Sequence, residues 1–68
     1  MNNRIYYIYK ELEDGFYMRD WVEEMEEAEA LAENESIEGK AMIDIVDTRT
    51  ETILRTLLYQ NGRQVGKG

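Results

Sequence analysis

The chain offers carboxylates for chemistry and little else. Residues 11–38 hold twelve acids (Glu11, Glu13, Asp14, Asp20, Glu23, Glu24, Glu26, Glu27, Glu29, Glu33, Glu35 and Glu38) against one base, Arg19. A carboxylate pair can do acid–base work, but where acids are this dense some pair is always close, so proximity alone selects none. The other groups that catalysis draws on are scarce: there is no His and no Cys, Ser36 is the only serine, and no Gly-rich phosphate loop occurs. Asp44, Asp47 and Glu51 carry hard oxygen ligands, yet their spacing lacks the ligand density and central Gly of a calcium loop. Turn and strand-edge roles suit them better. No catalytic, cofactor-binding or metal-ligating residue is assigned, and the expectation is a protein that is not an enzyme.

Charge is segregated along the chain, and segregation of this kind is a binding clue. Arg4 and Lys10 precede the acidic block, and Arg49, Arg55, Arg63 and Lys67 follow it. A formal charge of −7 argues against direct contact with phosphate backbones or anionic membranes, where affinity comes from Lys and Arg. The expected partner is another protein with a basic surface, with self-association as a homodimer beside it. With 68 residues there is room for one domain, which at this size buries only about 60% of the unfolded chain's surface. Neither a disulfide nor a usual zinc site is available to staple so small a core. A cysteine-free chain is compatible with the cytosol, and Met1-Asn2-Asn3-Arg4 leads into a strand-like run without an apolar leader segment or a stretch able to cross a bilayer. The expected location is cytoplasmic.

The elements that must position these side chains follow from residue type and period. Arg4-Ile5-Tyr6-Tyr7-Ile8-Tyr9-Lys10 is dense in β-branched and aromatic residues and reads as a strand. Asp14-Gly15 is a hairpin turn signal, and Phe16-Tyr17-Met18-Arg19 is the returning strand. Asp20, with Glu23 three residues on, has the spacing of a capping box and predicts a helix from Trp21 to Asn34. Val22, Met25, Ala28, Leu31 and Ala32 form its apolar stripe, while Glu23, Glu26, Glu27 and Glu33 point elsewhere. Glu33 and Glu35 oppose the helix dipole, so local electrostatics do not account for so many glutamates.

After a polar connection ending in Gly39, residues 41–47 are a third strand in which Asp44 marks a solvent-facing position, and residues 52–59 are a fourth. Residues 60–68 form either a short extra hairpin turned at Asn61-Gly62 or a flexible tail of one 1–68 domain. The predicted fold is α+β, in the order β-β-α-β-β: one antiparallel four-stranded sheet with a single amphipathic helix packed on one face. Alternation places Ile5, Tyr7 and Tyr9 on one face of the first strand and Tyr6 and Ile8 on the other. In the fourth, Ile53, Leu57 and Tyr59 alternate with Leu54 and Leu58. Both faces are apolar, one helix covers only one of them, and the other is a candidate partner surface.

Candidate partner-binding residues are therefore Glu23, Glu26 and Glu27 on the acidic helix, and Tyr6, Tyr17 and Tyr59 among the aromatics. An alternative function is inhibition of a DNA- or RNA-processing protein by nucleic-acid mimicry, with helix carboxylates standing where phosphates sit. Tyr6-Tyr7 with Asp14-Gly15-Phe16-Tyr17, followed by Glu26-Glu27-Ala28, resembles the hairpin-to-helix start of HicB-type antitoxins, which neutralise a small basic toxin. The resemblance covers about half the chain; the Pro-Gly-rich segment usual before that helix is absent, and no DNA-binding module follows.

Overall fold

The computed structural model describes residues 3–67. Met1, Asn2 and Gly68 lie outside the described residues, and with them the first residues on which the leader expectation rested; of the 60–68 segment, residues 60–67 are described and take the extra-hairpin alternative. The elements run β1 (Arg4–Leu12), β2 (Gly15–Val22), α1 (Met25–Glu35), β3 (Lys40–Asp47), β4 (Thr52–Gln60) and β5 (Arg63–Lys67). They make one antiparallel sheet in the order β2-β1-β3-β4-β5, with the helix on one side. The sheet has five strands and not the expected four. The fifth forms because Asn61 and Gly62 both take positive φ, 57° and 79°, the backbone twist that a two-residue hairpin requires.

The helix begins four residues later than its sequence signal. Asp20 lies in β2, where its carboxylate accepts a hydrogen bond from the Trp21 amide at 2.8 Å, and the N-cap position falls to Glu24, whose side chain caps nothing. Cross-strand pairing overrules the local capping pattern: Trp21 sits opposite Tyr7 and Val22 opposite Tyr6, which extends the hairpin through Val22. Val22 still packs against the core, from the end of a strand instead of from the helix.

The register sorts side chains into rows across the sheet. On the helix side, Val22, Tyr6, Ile45 and Arg55 form one row, and Asp20, Ile8, Ile43 and Leu57 the next; Tyr17, Lys10, Ala41, Tyr59 and Gln64 form a third. Ile8 and Ile43 are wholly enclosed where α1 crosses them, and Ala28 and Ala32 are wholly enclosed on the helix itself. Two alanines let the helix axis come close to the sheet, with Met25 and Leu31 flanking. A bulge in β4 makes Leu54 an extra residue, so Ile53 falls on the opposite face from Leu57 and Tyr59 and the simple alternation expected for this strand is broken.

Two polar fixtures tie the helix end to the sheet. The Ser36 hydroxyl donates to the Glu33 carbonyl and accepts from the Gly62 amide, both at 3.0 Å, while its carbonyl accepts from Asn61 N at 2.9 Å. The Lys10 ammonium donates to the Glu35 carbonyl at 2.8 Å. Its Nζ also lies 3.8 Å from the Glu35 carboxylate, which Arg19 approaches at 3.6 Å. The one base of the acidic block is thus paired at the C-terminal end of α1. No helix among the described residues is long and apolar enough to cross a membrane.

A candidate protein-docking face

The sheet face turned away from the helix carries the feature that needs a functional account. Its central row runs Trp21, Tyr7, Asp44 and Thr56 across β2, β1, β3 and β4. The row on one side is Ile5, Val46 and Ile53, and the row on the other is Met18, Tyr9, Met42 and Leu58. Trp21 is 53% exposed and Met18 54%, and Phe16 and Ile53 are exposed as well. No element covers this face among the described residues, so an apolar, ring-rich surface is left in water.

Asp44 sits in the middle of that surface, on the central strand, and is only 9% exposed because larger neighbours stand around it. One carboxylate oxygen accepts a hydrogen bond from the Thr56 hydroxyl at 2.8 Å. No Lys or Arg among the described residues pairs with it. Among the described residues the other oxygen has no hydrogen-bond partner, and since no fully buried side-chain oxygen among them lacks one, it reaches the surface. Burial, and then the Asp44 charge and Tyr7, push the Tyr9 phenol above its ordinary value.

The residues expected at a partner surface are not together. Glu26 and Glu27 are exposed on the first turn of α1 and Glu23 is exposed just before it, all on the helix side of the sheet. Tyr6 and Tyr59 are 7% and 2% exposed, enclosed under the helix, and face α1 instead of a partner. Tyr17 is exposed but lies opposite Lys10 on the helix side, with its hydroxyl bonded to Asp14, which raises its ionisation above the usual value. The rings on the open face are Tyr7, Tyr9, Trp21 and, toward the β1–β2 turn, Phe16. Their signal was present in the sequence: Asp44 breaks a strand whose alternate residues, Ala41, Ile43 and Ile45, are all apolar, which puts it on the face away from the helix, although it is buried at 9% exposure among larger neighbours and not solvent-facing as expected. Only the β1–β3 register, which sets Tyr7 opposite Asp44, was needed to find them.

Asp47 and Glu51 are turn residues, as their spacing suggested. The Asp47 carboxylate accepts from the Arg49 amide at 2.8 Å, and Glu51 N donates to the Asp47 carbonyl at 2.8 Å. The Arg49 amide and guanidinium hold the Asp47 carboxyl below its ordinary range. No group of three or more potential metal ligands gathers among the described residues. One shallow depression among the described residues, about 320 Å³, is lined by Arg4, Ile45, Leu54 and Arg55 on the helix side, and another, about 140 Å³, lies over Lys40, Leu58 and Val65.

No family model, curated protein or solved structure matches the chain, so the resemblance to HicB-type antitoxins gains no support and the fold and site stand on their own geometry.

Proposed function

We propose that this chain is a non-catalytic protein-interaction module whose docking surface is the open sheet face around Tyr7, Tyr9, Met18 and Trp21. The observation that carries the reading is the exposure of Trp21 and Met18 on a face already apolar at Tyr7, Tyr9, Met42 and Leu58, while the single helix covers the opposite side. Aromatic and methionine side chains grouped in this way are the usual anchors of protein interfaces. The partner is a protein with a basic surface, because the chain carries −7 overall and the centre of its open face holds the Asp44 carboxylate, which no ion pair among the described residues neutralises.

The glutamates of α1 favour a second reading, mimicry of nucleic acid toward a DNA- or RNA-processing protein. Glu23, Glu24, Glu26 and Glu27 are all exposed at one end of the helix. These carboxylates and the aromatic face lie on opposite sides of the sheet, so a single flat partner surface cannot use both. One experiment separates the readings: a partner captured from the native host is titrated against the native chain, a Met18→Ser/Trp21→Ser variant and a Glu26→Lys/Glu27→Lys variant. Docking on the open face predicts a loss of about 2 kcal/mol or more for the first variant and a smaller, salt-dependent change for the second. The reverse order, with DNA competing for the partner, would overturn it in favour of mimicry.

A further inference from the structure

We propose that Asp44 is the receptor for an arginine side chain of the protein partner, its carboxylate pairing the guanidinium while the rings of Tyr7, Tyr9 and Trp21 hold the guanidinium plane. The inference rests on the docking role of the open face and names what that face recognises.

The argument is one of charge complementarity. Asp44 stands at the centre of the face with apolar rows on both sides, so any partner seated there removes its remaining water. An ionised carboxylate so enclosed is costly unless a cation and further hydrogen bonds replace the water. Thr56 supplies one hydrogen bond, and no cation among the described residues supplies the charge. A purely apolar partner would leave Asp44 buried and unpaired. A second copy of this chain, laid face to face with Asp44 against Asp44, would bring a second carboxylate toward the first; Lys40 and Arg63 lie on the same face but at its far end, away from the Trp21–Tyr7–Asp44 row. A basic side chain meets the requirement, and arginine meets it best because its planar fork pairs with a carboxylate and stacks on aromatic faces at once. The row Trp21–Tyr7–Asp44 sets two rings in line with the carboxylate, and Tyr9 lies one row away.

The test uses capped tripeptides, Leu-Arg-Leu and its uncharged counterpart with citrulline in place of arginine, titrated into the isotope-labelled chain and followed by NMR. The expected result is a shift of the Tyr7, Asp44, Thr56 and Trp21 signals by the arginine peptide, binding weaker by about tenfold or more for the citrulline peptide, and loss of the difference in Asp44→Asn. Asp44→Asn keeps an acceptor for Thr56, and if it fails to fold the comparison of the two peptides on the native chain decides alone. Equal binding of both peptides at the face would overturn the arginine receptor while leaving the docking face in place. Shifts confined to the glutamates of α1, or none on the open face from either peptide, would overturn the receptor and remove support from the docking face as well.

Discussion

At the scale of single residues, the side chain that resembles a catalytic nucleophile is a structural clasp. Ser36 is the only serine, and it is wholly buried where its hydroxyl and carbonyl fasten the β4–β5 turn to the end of α1. Ser36→Ala leaves the Gly62 amide without its acceptor, and a buried donor in that state costs about 1–3 kcal/mol. Thermal unfolding should show that loss, and amide exchange should quicken first in β5; a variant as stable as the native chain would mean that the turn holds itself. Tyr59 makes a second prediction. Burial, and then the nearby Glu29 and Glu33, raise its phenol above the ordinary value of 10.0, so the fold prefers the neutral form. The stability contributed this way is complete below the unfolded value and is lost as pH rises through the raised folded one. Denaturation midpoints measured from about pH 9 to 11 should fall with pH, and Tyr59→Phe should flatten the slope without abolishing it, because Tyr9 is raised as well.

At the scale of elements, α1 owes its place to the sheet and not to itself. It has no side-chain N-cap and no basic residue in its last turn, and its glutamates repel at spacings of three and four. What fixes it is the close approach at Ala28 and Ala32, so Ala32→Leu should push the helix off Ile8 and Ile43 and cost about 1–3 kcal/mol. Ala32→Ser, nearly the same size, should cost less, and calorimetry on the pair separates steric displacement from lost apolarity. The same dependence on tertiary contact explains what the sequence could and could not show. Both hairpins flanking the helix, its apolar residues from Met25 to Ala32, and the alternation in β1 were legible because they are local patterns of period and turn chemistry. The helix start was not, since Asp20 and Glu23 imitate a cap and only the Tyr7–Trp21 and Tyr6–Val22 pairs reveal a strand there. Nor was the covered face: alternation separated Tyr6 from Tyr7, but the register against β3 decided which of them met the helix.

At the scale of the whole molecule, the fold has to keep an apolar sheet face and two sheet edges from joining other copies. Both edges carry a bulge: β2 holds Arg19 as an extra residue against β1, and β5 holds Val65 as an extra residue against β4. Bulges of this kind twist an edge away from regular pairing. The face has Asp44. Two copies meeting with Asp44 against Asp44 would enclose two carboxylates, and each copy brings a charge of −7 to the encounter. The native chain should therefore sediment as a monomer in dilute salt, and Asp44→Leu should self-associate, because it joins the apolar rows on either side into one surface while leaving the Thr56 hydroxyl free to turn to water. Sedimentation velocity across a concentration series reads the outcome directly. A native chain that dimerises as readily as Asp44→Leu would show that the carboxylate does not guard the face, and the −7 charge would then be the only barrier left to test, by raising the salt.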